Sequence, residues 1–278
     1  MSSTPIRLLY VTDLMYEARG RRYCDEDIYL SSRLREDFTV ALCDPLEAMA
    51  LMDSFDAVVI RNSGPVLRYQ DRYDAFRAEA RRRGTCVYTQ LTGKADMAGK
   101  QYLVDLSAAG SPVIPTVDRH ADLHQLPEVE EYVAKPKLGA DSIGLTFVTR
   151  DELEGLAFDD LLVQPRIRFR YEVSFYFVDR TFQYALYAPQ PDQRWRLERY
   201  EPTPADLDFA QGFVDWNAVD RGIQRVDACR TPQGELLLVE LEDLNPYLSL
   251  DLLDSATREV FVSGMKGSLR GLLAESRS

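Results

Sequence analysis

The stretch Arg225–Pro246, RVDACRTPQGELLLVELEDLNP, reads as two strands joined by a turn. The TPQG segment supplies the turn, and apolar residues flank it. Arg225 and Asp227 are two apart, and so are Glu240 and Glu242. Side chains two apart share one face of a strand. Pairing through the turn would therefore bring Asp227 towards Glu240 and Glu242 on one face. Three carboxylates crowded in a partly buried place repel one another unless a cation sits among them. Oxygen ligands without thiolate or imidazole suit a hard divalent ion, Mg2+ or Mn2+. A wet face of solvated acids is the plain alternative, and the hairpin alone fits both.

The chain around this hairpin has 278 residues, 45% of them hydrophobic, and a formal net charge of −12. That is enough apolar material for a real core over two or three small domains. The acidic balance disfavours nucleic acid as a partner, because phosphate contacts need a basic face. The four cysteines, Cys24, Cys43, Cys86 and Cys229, form no C-x-x-C pair and read as reduced thiols. The opening MSSTPIRLLYVTD lacks the pattern of a signal peptide, and no stretch is long enough to span a bilayer. The expectation is a soluble, cytoplasmic protein with no membrane partner.

Upstream, strands and helices alternate. IRLLYV (6–11) is a continuous apolar run of the kind a buried parallel strand needs. DEDIYLSSRLRED predicts a helix with Ile28, Leu30 and Leu34 on or near one side, and PLEAMALMDS predicts another. RYQDRYDAFRAEARRRG sets Tyr69, Tyr73, Phe76 and Ala80 at helical spacing and stops at Gly84. With FTVAL, FDAVVIRNSG and TCVYT as strands, this predicts a small doubly wound sheet over residues 5–90. Ligands gather at the carboxyl ends of such strands, where Thr12-Asp13 and Arg61-Asn62-Ser63-Gly64 fall. After residue 91 a helix closes at Gly110. EYVAKPK, IGLTFV, LLVQPRI, YEVSFYFV and FQYALYA then read as antiparallel strands. A helix capped by Thr203 precedes the opening hairpin, and SATREVFVSGMKGSLRGLLAES closes the chain as a helix. Pro189–Pro204, with Trp195, reads equally as a lid or a surface loop. His120 and His124 are spaced i, i+4, but a polar loop is the simpler reading of them than a metal pair.

Three more features carry chemistry. VAKPKLGADSIGLTFV is a strand ending in Lys135, then a small-residue loop from Gly139 through Ser142 to Gly144, then a strand. Such a loop leaves backbone N–H groups free to approach phosphate oxygens, although a hairpin turn explains it equally well. VQPRI (163–167) offers a polar side chain and backbone that could serve an adenine edge, with Glu172 opening the next strand. Lys100 lies in the helix that opens the middle region.

In order, these features are Lys100, GSPVIPT, Lys135 with its small loop, Gln164, Glu172, Arg225, Asp227 and Glu240-x-Glu242. That order resembles the ATP-grasp superfamily, which includes D-alanine–D-alanine ligase, glutathione synthetase and small amino-acid ligases. The resemblance covers nearly the whole chain. It implies an α/β N-terminal open parallel sheet followed by two α+β lobes that grip ATP. It also implies a substrate-side domain at 1–90, a central lobe with the phosphate loop at 91–163, and a C-terminal lobe with the metal and catalytic residues at 164–278. By the same resemblance Lys100, Lys135, Gly139 and Ser142 would serve the ATP phosphates. Gln164, Pro165 and Ile167 would line the adenine, and Glu172 would hold the ribose. Asp227, Glu240 and Glu242 would bind Mg2+ or Mn2+, and Arg225 would stabilise an oxyanion. The family ends its motif Glu-x-Asn. Here Glu240-x-Glu242 stands, with Asn245 three residues on, so Glu242 and Asn245 both remain open as the third ligand. The family usually has an acid where Gln164 stands, and its loop is richer in glycine than this one, with its Lys137 and Asp141.

The implied activity is ADP-forming ligation of a small-molecule carboxylate to an amine through an acyl phosphate, with amino acids or small peptides as substrates. A homodimer is one open assembly. The rival reading within the fold is an ATP-binding sensor or scaffold without ligase activity. A Rossmann oxidoreductase lacks its G-x-G-x-x-G, since VTDLMYEARG follows the first strand instead.

Overall fold

The computed structural model describes residues 5–18, 21–61, 66, 69–139, 144–190, 193 and 196–276. The apolar run IRLLYV becomes β1 (Arg7–Val11), with every residue after Arg7 buried. A short hairpin follows, β2 (Glu17–Ala18) and β3 (Arg21–Arg22), and leads into α1 (Tyr23–Leu34) and β4 (Thr39–Cys43). Next come α2 (Ala48–Leu51), β5 (Ala57–Ile60), α3 (Gln70–Arg83) and β6 (Val87–Tyr88). The strands form a parallel sheet in the order β4-β1-β5-β6. Leu9, Val11, Val58 and Ile60 pack on Tyr73, Phe76 and Ala80 of α3. Leu8, Tyr10, Ala57 and Val59 pack the other way, with Leu30 and Leu34 of α1. Burial on both faces is why these strands are continuously apolar. The order reverses between β1 and β5, and Thr12 and Arg61 stand at the carboxyl ends there.

Two helices depart from the sequence expectation. In α1, Leu30 and Leu34 are buried but Ile28 is 50% exposed, while the acids Glu26 and Asp27 point inward. PLEAMALMDS makes only the single turn of α2 and a 3-10 turn, Met52–Ser54.

The middle region contains α4 (Gln101–Ala108), β7 (Tyr132–Pro136), β8 (Thr146–Val148), α5 (Arg150–Glu154) and β9 (Leu161–Pro165). Its strands form a small antiparallel sheet, β8-β7-β9. His120 and His124 lie exposed in a 3-10 turn, their rings meeting the carbonyls of Glu154 and Ala121.

The last region is β10 (Tyr171–Val178), β11 (Thr181–Ala188), β12 (Glu198–Tyr200), α6 (Pro204–Asn217), β13 (Ile223–Arg230), β14 (Leu236–Glu242) and α7 (Ser255–Glu275). The strands pair antiparallel in the order β12-β11-β10-β13-β14. Thr203 caps α6 in a capping box with Asp206. The Pro189–Pro204 segment ends as β12 on the sheet edge, and Trp195 lies outside the described residues. One sheet face, including Val173, Phe175, Val226 and Leu241, packs on α4 and α6. The other, including Val178, Leu186 and Ile223, packs on α7 and joins the core of the parallel sheet. Val113 bridges to Leu238 and Val117 to Val163, so one extended segment links the two antiparallel sheets. Among the described residues no helix is long and apolar enough to cross a membrane.

Candidate active site

The acids in LLLVELE are parted from Leu238 by an irregularity in β14. Ala228 on β13 faces Leu238, but the next residue back, Asp227, faces Glu240, so Val239 is an extra residue, a β-bulge. Simple alternation would put Leu238, Glu240 and Glu242 on one side. The bulge re-phases the strand. Leu238 and Leu241 both enter the α4–α6 core, and Glu240 and Glu242 turn to the opposite face. Two polar rows result across β10, β13 and β14: Ser174, Asp227 and Glu240, then Tyr176, Arg225 and Glu242.

Arg225 is the centre of the second row. Its Nε and Nη2 donate to the two Asp227 oxygens at 2.9 and 2.8 Å, and Nη2 also donates to Glu242 Oε1 at 2.5 Å. Its Nη1 donates to the Tyr247 carbonyl at 2.8 Å, and the guanidinium lies over the Tyr176 ring. Ser174 Oγ donates to Asp227 at 2.6 Å. Lys100, the N-cap of α4, reaches across to pair with Glu240. Lys135, at its predicted place in β7, completes the group.

The charges are unevenly distributed. At one end two lysines share one carboxylate. Burial and the neighbouring Lys100 push Lys135 down to about 8, with Glu240 pulling the other way. Burial opposes the charge on Glu240, yet Lys100 and then Lys135 hold it below the ordinary carboxylate range. At the other end two carboxylates share one guanidinium. Burial, with Asp227 and Glu240 nearby, pushes Glu242 up to about 8 against the pull of Arg225. The lysine end is short of negative charge and the carboxylate end short of positive charge. A polyphosphate beside a hard divalent cation would complete both. Carboxylate oxygens are the kind of donor such a cation takes, and in this structure Arg225 and Lys100 engage them. Among the described residues, however, no three carboxylate, imidazole or thiol groups are gathered as a ready metal cluster.

Lys100, Arg225, Glu240 and Glu242 line a cavity of about 300 Å3 together with Gly139 and Asn245, whereas Lys135 and Asp227 stand behind them and are not part of its lining. Gly144 returns the loop with φ of 75°, and a Cβ there would stand 2.8 Å from the Pro136 ring. Ser142 lies outside the described residues. The opposite wall comes from the N-terminal region: Tyr16, Tyr23, Gln70, Asp74 and Arg77, with Tyr247 between. Tyr23 stacks on Tyr247 at 4.6 Å and Tyr16 meets Tyr23 at a tilt of 52° and 5.3 Å, an aromatic row that no sequence spacing announces.

Gln164, Pro165, Ile167 and Glu172 do not line this cavity. Gln164 and Pro165 are buried in β9, and the Gln164 amide donates to Thr116 Oγ1 at 2.8 Å. Glu172 sits on β10 opposite Cys229, on the same face as Ser174 and Asp227 but farther along the strands. Arg166 pairs with Glu131, and Tyr171 packs with Tyr187 and Tyr200 beside Arg230, away from the cavity.

Arg61, at one of the strand ends where ligands of such sheets gather, is 2% exposed and tied to Glu26 and Asp27. Asn62, Ser63 and Gly64 lie outside the described residues. Burial pushes Glu26 up from 4.5 to about 7, with Arg61 opposing. The folded chain therefore keeps the proton to higher pH than the unfolded one. This group's contribution to stability is full below about 4.5 and is lost as pH rises through about 7. Urea unfolding at pH 5 and 8 should show the wild type losing about 2–3 kcal/mol relative to Glu26→Gln across that window. Parallel pH profiles would disprove it.

No family model matches the chain, and no curated protein matches it. Solved structures do. D-cycloserine synthetase DcsG superposes with a TM-score of 0.73 at 23% identity, covering 95% of this chain and 99% of that one. D-alanine–D-alanine ligase from Bacillus anthracis, complexed with ATP, gives 0.68 at 12% identity, with 98% of each chain covered. ATP-grasp ligase PsnB, complexed with a phosphomimetic variant of its minimal precursor, Mg and ADP, gives 0.63 at 15%, covering 95% and 99%. The chain has the ATP-grasp fold over nearly its whole length.

Proposed function

We propose that this protein is an ADP-forming ligase that activates a small carboxylate as an acyl phosphate and joins it to an amine. The observation that carries the reading is the divided charge of the site, with Lys100 and Lys135 around Glu240 and Asp227 and Glu242 around Arg225. It stands on a fold shared with ligases that act with ATP. Lys100, Lys135 and the backbone around Gly139 would hold the ATP phosphates. Asp227, Glu240 and Glu242 would hold Mg2+ or Mn2+, which when bound offsets the repulsion between anionic substrate and polyphosphate. A substrate carboxylate oxygen attacks the γ-phosphorus, the bond to the bridging oxygen breaks, and ADP leaves. The amine nitrogen then attacks the acyl carbon, loses a proton, and phosphate leaves. Arg225 would stabilise the tetrahedral oxyanion with its guanidinium.

A cavity of about 300 Å3 bounded by tyrosines and mixed charges suits amino acids or very short peptides. The neighbours D-cycloserine synthetase and D-alanine–D-alanine ligase bear names of small amino-acid products, while PsnB is seen with a precursor. Incubation with ATP and amino acids, singly and in pairs, should release ADP and phosphate and yield a product of condensed mass. ATP binding without ADP release under any of these mixtures would favour the sensor or scaffold.

A further inference from the structure

We propose that Glu26 and Arg61 are positioning residues that clamp the 246–250 loop and through it orient Arg225; this rests on the ligase reading above. Successive backbone groups of the loop are gripped from two sides. Arg61 Nη2 donates to the Pro246 carbonyl at 2.8 Å and to Glu26 Oε1 at 3.2 Å. The next carbonyl, Tyr247's, accepts from Arg225 Nη1 at 2.8 Å. The amides of Leu248 and Leu250 donate to Glu26 at 2.9 and 3.2 Å. Between them Ser249 has φ of 53°, a left-handed conformation unfavourable for any residue but glycine. Glu26 thus holds both amides that flank a strained residue, and strain of this kind persists only where the surroundings impose it.

The clamp is anchored rigidly. Asp27, next to Glu26 on α1, accepts from Tyr10 at 2.7 Å and from Thr12 at 2.8 Å, fixing the start of the helix on β1. Arg61 leaves the end of β5 next door. The reversal point of the parallel sheet, where sheets of this kind usually place a ligand, here grips a loop from the other end of the chain. Release of Glu26 would let Ser249 relax, swing the Tyr247 carbonyl away from Arg225, and shift the Tyr247 ring that walls the cavity.

The test pairs a local readout with a kinetic one, using the full chain. Amide hydrogen exchange at Leu248 and Leu250 should speed up at least about tenfold in Glu26→Ala relative to exchange in β10, since a local opening becomes easier. In substrate-dependent ADP release kcat should fall about tenfold or more while KM for ATP stays within about threefold. Glu26→Gln keeps an oxygen for Leu248 and Arg61 and should recover most of kcat. Arg61→Met should behave like Glu26→Ala, and with Glu26→Gln it carries the comparison if Glu26→Ala fails to fold. Unchanged exchange at the two amides overturns the clamp. Faster exchange with unchanged kcat overturns its role in positioning Arg225. A uniform loss of folded protein, with kcat per folded molecule intact, shows a purely structural link and also overturns it. A wild type that binds ATP yet never releases ADP defeats the ligase reading instead, and the exchange comparison then decides the clamp alone.

Discussion

Arg225→Ala should lower substrate-dependent ADP release by about two to three orders of magnitude while ATP still binds, the usual loss when one oxyanion donor is removed. The guanidinium is held on four sides, by both oxygens of Asp227, by Glu242 and by the Tyr247 carbonyl. It reaches the cavity already oriented, and no other side chain of its row carries a positive charge. Its loss leaves Asp227 and Glu242 facing each other in a half-buried place. Glu242, already pushed up to about 8 against the pull of Arg225, holds its proton still more firmly once that pull is gone, which limits the repulsion, so the variant stays folded though less stable. Glu240→Ala should be equally inactive for a different reason. It removes the one carboxylate between Lys100 and Lys135, so burial and mutual repulsion drive Lys135 below its present value of about 8 and weaken its hold on phosphate. Arg225→Lys should recover only a small part of the rate, since a single ammonium cannot reproduce the planar fork. Steady-state ADP release beside ATP titration and a melting curve separates these effects. Wild-type turnover in both alanine variants would remove Arg225 and Glu240 from the chemistry.

The sequence shows that the acids of β14 share a face but not what keeps Leu238 off that face. Glu240 and Glu242 are two apart, so any strand puts them on one side, but only the bulge at Val239 sends Leu238 to the other. A bulge has no composition signal in LLLVEL. The parallel sheet is legible because burial on both faces demands uninterrupted apolar runs, as in β1 and β5. The inward acids of α1 are not legible. A periodic pattern places Ile28 with Leu30 and Leu34, whereas the partners that draw Glu26 inward are Arg61 and the amides of Leu248 and Leu250, dozens to hundreds of residues away. Lys100, Lys135, Arg225 and Glu240 are legible as an ordered series; the fold brings Lys100, Arg225 and Glu240 to one cavity and leaves Lys135 beside Lys100 and Glu240, off its lining. Gln164 is legible as part of a strand, but its amide is engaged by Thr116, a contact that joins segments 48 residues apart.

Asp243→Ala should cost about 4 kcal/mol of unfolding free energy, a large share of the roughly 5–15 kcal/mol that a folded protein has in total. Asp243 is fully buried directly after the site strand. Its carboxylate accepts from the amides of Ala95 at 3.2 Å and Met97 at 2.9 Å and from the Asn217 side chain at 3.0 Å. Asp96 answers from the other side, its Oδ1 accepting from the amides of Asp243 at 2.6 Å and Leu244 at 3.0 Å. The two loops therefore hold each other through exchanged carboxylate–amide bonds, and the loop of Asp96 leads directly into Lys100. Removing the Asp243 carboxylate leaves three donors buried without an acceptor, each worth roughly 1–3 kcal/mol, with part of the cost relieved by relaxation. Gly93 supports the same picture, because a Cβ there would stand 2.1 Å from Asp243 Oδ2. Gly93→Ala must push that carboxylate aside, and should destabilise in the same sense, by less than the full deletion. Urea midpoints for the two variants, with slopes compared to the wild type, measure both effects. A loss below about 1 kcal/mol for Asp243→Ala would mean that these donors find other acceptors, since an ordinary surface change costs no more than about half that. The register between Lys100 and Glu240 would then have to be held by the core packing of α4 against β14 instead.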